Sequence, residues 1–394
     1  MKPVDIFRIH RESIRSYGEY VRSFIEVSDV EIAAAISGEL DDGKLWPPAL
    51  IQFNPAYEEG DGIGKLQADG ILHPELANNV FSQYVLHRHQ TQALRLADAG
   101  RGFVVTSGTG SGKSLAFLGS IMNGLFKMKS CSPGIKAVIV YPMNALINSQ
   151  EKSLEEDYKG QYEKATGKPF PLSFGKYTGQ SKQDARFDIH DNPPDILLTN
   201  YMMLELLLTR FSDKTIKASI YENLRWLAFD ELHTYRGRQG ADVAMLIRRI
   251  RARCKNEVLC MGTSATMVSD QVGIDRKAAI ASFAETVFGL PFASDQIVDE
   301  TLRFSLGSPG SLPTKKGLAA SLASDWARLG EEEVKHHPLG TWIESNIALD
   351  REEPEKIRRG KPQSLADIAG ALADATGLPC EECRAALELS LIHI

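Results

Sequence analysis

The chain holds only five cysteines in 394 residues: Cys131, Cys254, Cys260, Cys380 and Cys383. So sparse a set, mostly in apolar or helical surroundings, argues against a disulfide framework and for reduced thiols. Only Cys380-Glu381-Glu382-Cys383 has metal-ligand spacing, and no second Cys or His pair stands where it would complete a tetrahedral site. These two cysteines read first as neighbours on a helix face, with zinc the lesser alternative. No apolar run approaches a membrane span and the N-terminus lacks a signal-peptide core, so a soluble, cytoplasmic protein without membrane contact is expected. Basic excess is missing too: 45 Lys and Arg face 51 Asp and Glu, a formal charge of −6. Nucleic-acid binding therefore gains nothing from bulk charge and would need a local surface.

What is present is more specific. A 43% hydrophobic composition is ample for buried cores, and the length allows two or three domains. Ser107-Gly108-Thr109-Gly110-Ser111-Gly112-Lys113-Ser114 follows the apolar run Gly102-Phe103-Val104-Val105-Thr106 and precedes Leu115-Ala116-Phe117-Leu118. Strand, glycine loop and helix are the setting a phosphate loop requires. The glycines let successive N–H groups turn inward around phosphates, and the helix N-terminus adds a positive dipole end. Lys113 would reach the β and γ phosphates of ATP, and the Ser114 hydroxyl would ligate Mg²⁺. Ser107 stands where the strict pattern wants glycine, a small residue for a smaller one.

Further on, Asp230-Glu231-Leu232-His233 ends the run Leu224-Arg225-Trp226-Leu227-Ala228-Phe229. Four consecutive apolar residues suit a strand covered on both faces, and acids at its carboxyl end sit where open α/β sheets bind ligands. Asp230 is expected to hold Mg²⁺ through its water shell, and Glu231 to orient or deprotonate the attacking water. An Asp-Glu pair alone is usually a solvated strand end; the phosphate loop is what gives it weight.

Residues 1–80 read as a helical accessory segment with a polar, proline-bearing stretch around Leu45-Trp46-Pro47-Pro48. Residues 81–270 alternate apolar runs with helical patterns, which predicts an α/β fold with a wound, mostly parallel sheet. The runs are 103–106, 137–141, 172–177, 196–199, 224–229 and 258–263. Beyond 270 the text turns alanine-rich and helical, with Gly307-Ser308-Pro309-Gly310-Ser311 as a linker. A capped helix starting at Ser364 is broken at Thr376-Gly377-Leu378-Pro379, and a second starts near Glu381; a plain helical hairpin is the commoner reading and DNA contact the rarer one.

With both ATP segments placed, the remaining motifs follow a known order. The chain resembles superfamily 2 helicases of the DExH type over their accessory N-terminus and first RecA-like domain. Within that group it is most similar to large bacterial helicases of antiphage defence islands, the Druantia and DISARM types, with similarity to DNA-repair helicases also visible. The resemblance implies that Gln90, in His89-Gln90-Thr91-Gln92-Ala93, bonds the adenine edge. It implies that Pro142 and Asn144 of Tyr141-Pro142-Met143-Asn144-Ala145-Leu146, Tyr177 and Gly179 of Tyr177-Thr178-Gly179-Gln180, and Thr199 and Asn200 of Thr199-Asn200-Tyr201 grip one nucleic-acid strand by its phosphates. Ordinary strand-to-helix turns are the alternative for any one of them. In Gly262-Thr263-Ser264-Ala265-Thr266, the hydroxyls of Ser264 and Thr266 would bond toward His233 and the acidic pair, coupling nucleotide state to the gripping loops. The arginines of helix 246–253 are expected to form a solvated face, with nucleic-acid contact as the alternative.

The resemblance further implies ATP and Mg²⁺ as cofactors, and as partners nucleic acid (DNA before RNA), other defence proteins and a missing C-terminal half. Nothing after 270 matches the motifs of a second RecA-like domain, whose arginine fingers are worth about 10³ to 10⁵ in rate, so very slow hydrolysis by this piece alone is expected. Residues 271–388 read as a helical insertion or linker toward that domain. Leu389-Ser390-Leu391-Ile392-His393-Ile394 reads as the translation of a sequencing-library adapter and is expected to be non-native. Two other classes stay open: a nucleic-acid-binding module without turnover, and a phosphate-loop ATPase unrelated to nucleic acid.

Overall fold

The computed structural model describes residues 5–25, 27–41, 49–108, 110–128, 133–179, 189–265, 276–306, 312–353 and 356–392. Thr109, Cys131, Gln180, Thr266, residues 45–48 and the linker 307–311 lie outside the described residues. The chain divides into two compact units, Tyr57–Thr301 and the combination of Met1–Ala56 with Leu302–Ile394.

The first unit is built on seven strands: β1 (Phe103–Thr106), β2 (Ala137–Val140), β3 (Phe174–Tyr177), β4 (Ile196–Thr199), β5 (Trp226–Phe229), β6 (Leu259–Ser264) and β7 (Ile297–Asp299). They pair in the order β3-β4-β2-β5-β6-β1-β7, every pair parallel. Parallel strands need helical crossovers, and these cover both faces, which is why the central strands read as unbroken apolar runs rather than alternating ones. Strand geometry still separates the two sides. Val104, Val138, Val140, Leu227, Phe229 and Cys260 belong to one core, and Phe103, Val105, Ala137, Ile139, Ala228 and Met261 to the other.

The second of these cores receives α1 (Arg88–Asp98), α2 (Lys113–Lys127) and α3 (Asn144–Ser153). The first receives α4 (Tyr201–Thr209), α5 (Gly237–Arg253) and α6 (Arg276–Phe288). The carboxyl ends of β1, β2, β5 and β6 carry, in turn, the phosphate-loop segment, Tyr141-Pro142, the acidic pair and Thr263-Ser264.

This unit begins before residue 81 and ends after 270. Leu66, Leu72, Leu76 and Phe81 are buried in the same core as α2, which ties residues 57–80 to the sheet. At the other end β7 adds three residues alongside β1, too short a run to stand out in an alanine-rich text.

The other unit has its own core, including Leu318, Trp326, Leu339, Trp342, Ile368, Leu372, Cys383 and Leu387. Its helices include Ile6–Arg22, Val30–Asp41, Leu365–Thr376 and Cys380–Leu391. The Ser364 side chain accepts from the Asp367 N–H to start one helix, and Gly377, at φ 75°, ends it. Strands Leu349–Glu353 and Lys356–Arg359 pair antiparallel here. Cys383 is buried in the core and Cys380 exposed, and no group of three or more metal-ligating side chains occurs among the described residues. No described helix is long and apolar enough to cross a membrane.

Candidate nucleotide site and strand-gripping surface

Between β1 and α2 the chain turns through Gly110 and Gly112, at φ 82° and 73°, a region L side chains rarely adopt. A Cβ on Gly112 would also lie 2.4 Å from Nε2 of Gln90. Ser107, the departure from the strict glycine pattern, is buried with its Oγ 2.6 Å from Ser111 Oγ, and its N–H donates to the Ser264 carbonyl at 3.1 Å. The hydroxyl pair thus pins the loop across its own mouth, a contact glycine could not make. The Gly108 N–H donates to Glu300 Oε2 at 2.8 Å, and the Thr106 hydroxyl bonds Asp299. Helix α2 opens at Lys113, presenting the N–H groups of a first turn. Ser114 follows, half-buried.

Facing this loop, β5 ends with the Asp230 N–H donating to the Val140 carbonyl at 2.9 Å, which carries the ladder one residue further. Glu231 then turns left-handed, φ 50° and ψ 54°, the one non-glycine positive φ among the described residues. Such a conformation costs about 1–2 kcal/mol, so the surroundings must hold it. They do so from several sides. Lys113 Nζ lies 3.1 Å from Glu231 Oε1, and His233 Nδ1 lies 3.1 Å from Glu231 Oε2 and 3.1 Å from Ser264 Oγ. The Thr263 hydroxyl takes the Glu231 N–H at 3.2 Å and bonds Asp230 Oδ1. Strand order explains the convergence: β6 lies between β5 and β1, so Thr263 and Ser264 touch both halves.

Burial pushes the Asp230 carboxyl above its usual range; the Thr263 hydrogen bond opposes this, the charge of Glu231 adds to it, and Lys113 pulls back. Two buried tyrosines sense the same charge. Tyr141 and Tyr235 are pushed well up by burial and then by Asp230, and neither hydroxyl has a hydrogen-bond partner among the described residues.

Gln90, the residue expected to read the base, lies against the loop. It is the third residue of α1, and its Oε1 accepts from the N–H of His87, the helix-capping residue, at 2.8 Å. Its Nε2 donates to the carbonyls of Gly112 at 3.1 Å and Ser111 at 3.5 Å. Donor and acceptor are both spent on the chain. Beside it, the buried His89 donates from Nε2 to the Ser111 carbonyl at 2.9 Å, and burial drops its pKa to about 4. His89 was legible only as the neighbour of Gln90; its burial on the loop has no sequence signal.

The residues expected to grip a strand separate into two groups. Asn200 Nδ2 donates to Asn144 Oδ1 at 2.8 Å while Asn200 Oδ1 caps α4 by accepting the Met203 N–H, so the loops after β2 and β4 are joined. Pro142 is half-buried and Gly179 exposed. Tyr177 and Thr199 form the other group: both are buried, the Tyr177 hydroxyl donates to Asp213 at 2.8 Å, and the Thr199 hydroxyl donates to the Tyr177 carbonyl at 2.7 Å. The Thr199 side chain joins two neighbouring strand ends, and the Tyr177 side chain ties its strand end to the residue that precedes helix Lys214–Asn223.

The arginines of α5 take a third course. Arg248 and Arg251 donate to the carbonyls of Thr286, Phe288 and Gly289, closing the C-terminal end of α6, where cations complement the helix dipole. Arg249 pairs with Glu205.

Residues 87–273 match the DEAD/DEAH box helicase family. The chain is 26% identical over 384 residues to Druantia protein DruE of Escherichia coli, a match covering 66% of this chain and 21% of that protein. It is 28% identical over 189 residues to the uncharacterized ATP-dependent helicase YprA of Bacillus subtilis, covering 47% of this chain and 23% of that protein. Among solved structures it is similar to the DUF1998 helicase MrfA bound to DNA, at 22% identity and a TM-score of 0.49, over 64% of this chain and 30% of that one. The matched part thus spans about a fifth to a quarter of the length of these two curated relatives. With the phosphate loop, the acidic turn and the hydroxyl-bearing strand between them in place, residues 87–273 are a DEAD/DEAH box helicase domain.

Proposed function

We propose that this chain is the ATP-binding portion of an ATP-dependent DNA helicase or translocase that acts in antiphage defence or DNA repair. The observation that carries the reading is the meeting of Lys113 and Glu231 at 3.1 Å across the carboxyl ends of β1 and β5, with Asp230 beside them. The helicase family implies ATP use. The loop N–H groups and Lys113 would cradle its phosphates, a charge-assisted contact for which Lys113 must leave Glu231.

The residues present also fit Mg²⁺. A serine hydroxyl and a carboxylate are hard oxygen donors, and a carboxyl disfavoured in its charged form by burial gains from a cation. Ser114 and Asp230 would hold the ion, which supplies neutralisation of the phosphate charge. Glu231, released by Lys113, would orient the attacking water, with His233 Nδ1 3.1 Å from its second oxygen, Oε2. His233 and Ser264 would pass the state of the site to the strand-gripping loops, with Pro142, Asn144, Gly179 and Asn200 at the nucleic-acid phosphates. Rapid turnover would require arginines from a second RecA-like domain, worth about 10³ to 10⁵ in rate.

ATP hydrolysis measured for this chain and for a longer parent, each with and without single- and double-stranded DNA, tests the reading. Turnover only in the longer protein and only with DNA is expected. DNA-independent turnover by this chain would overturn the motor assignment.

A further inference from the structure

The geometry points to Thr263 as the residue that positions both acidic side chains of this site. This rests on the reading of Asp230 as the holder of Mg²⁺ and goes beyond it by assigning what fixes Asp230. Thr263 lies near the carboxyl end of β6, paired with Val105 of β1, and is fully buried. A hydroxyl carries one hydrogen and two lone pairs, so it can give and receive at once. Here it gives to Asp230 Oδ1 and receives from the Glu231 N–H at 3.2 Å. One bond fixes the rotamer of the first carboxylate. The other anchors the left-handed turn that sends the second toward Lys113.

Neighbouring hydroxyls divide the work. Alternation along a strand sends Thr263 and Ser264 to opposite faces, and Ser264 reaches His233 instead. Among the described residues Glu231 is the one non-glycine in the left-handed region, and Thr263 holds its N–H. Valine at 263 would fill the same space and leave that N–H and a carboxylate oxygen of a buried residue without their bond.

The test is binding of a fluorescent ATP analogue to the full chain with and without Mg²⁺, using Thr263→Val, Thr263→Ser, Thr263→Ala and Asp230→Asn. Removing a partner that orients a metal ligand typically costs about 10- to 100-fold, so Thr263→Val should lose about tenfold of the Mg²⁺-dependent gain in affinity while Thr263→Ser keeps it within about twofold. Binding without Mg²⁺ is the reference against which that gain is read. If Thr263→Val does not fold, Ser against Ala isolates the hydroxyl: loss in Ala alone supports the assignment, and equal binding overturns it. An undiminished Mg²⁺ gain in Thr263→Val, with the gain lost in Asp230→Asn, overturns the Thr263 role and leaves the site reading standing. A gain that survives Asp230→Asn overturns the site reading and the Thr263 role with it.

Discussion

The ammonium of Lys113 lies 3.1 Å from Oε1 of Glu231, so each of the two groups assigned to ATP and to water holds the other in place. The pair is largely buried, Lys113 at 9% and Glu231 at 22% side-chain exposure. Breaking it from either side should therefore have opposite effects on binding. Lys113→Ala should weaken nucleotide binding by about 10- to 100-fold, the scale of a lost charged hydrogen bond of about 1.5–3 kcal/mol. Glu231→Gln should bind ATP at least as well as the native chain, because the lysine is released, while turnover in the longer parent falls by about 10²- to 10⁴-fold. Calorimetric binding with steady-state hydrolysis checks both, and weaker ATP binding by Glu231→Gln would contradict the account.

Gln90 offers a clean choice between scaffold and base reader. Its amide bonds His87, Gly112 and Ser111, so Gln90→Ala should lower stability without nucleotide by about 1–3 kcal/mol, the cost of leaving buried partners unpaired. Thermal melting of the nucleotide-free chain reads this directly. An unchanged melting temperature combined with lost preference for ATP over GTP would favour the base-edge role instead.

His89 makes the loop's footing sensitive to acid. Its pKa falls from 6.5 to about 4, chiefly through burial, with the Ser111 hydrogen bond opposing and the charge of His87 assisting. A depressed folded value means that its contribution is fully present above pH 6.5 and is lost as pH falls through about 4. The native chain should lose up to about 3 kcal/mol across that window from this group. His89→Gln should flatten the slope. Parallel melting curves for the two proteins between pH 7 and pH 4 would refute the assignment.

Ser264 touches His233 and not the carboxylates, so its loss should spare chemistry. Ser264→Ala in the longer parent should keep ATP hydrolysis within about threefold, since one neutral hydrogen bond is worth about 0.5–1.5 kcal/mol, while strand separation falls further. Equal loss of both activities, measured on the same preparation, would count against a coupling role.

The sheet was readable because polar or glycine-bearing residues follow nearly every apolar run, and six of its seven strands overlap the runs marked in the sequence. The seventh, Ile297–Asp299, offers three residues, fewer than periodicity can register. In the site, Lys113, Asp230 and Glu231 were legible from residue type and spacing. What was not legible depends on partners distant in sequence: the capping bond of Gln90, the burial of Tyr177 beside Asp213, and the bond from Gly108 to Glu300, 192 positions away. Thr263 stood in plain view within its motif, yet only strand alternation in three dimensions shows which hydroxyl serves which side chain.

Strand β6 lies between the strand that ends in the phosphate loop and the strand that ends in the acidic turn, and it bonds both beyond the ladder through the Ser264 carbonyl and the Thr263 hydroxyl. Its last two residues therefore act as a common fulcrum. A shift of a few tenths of an ångström there would move cradle and carboxylates as one body, so the two halves of the site cannot drift apart independently.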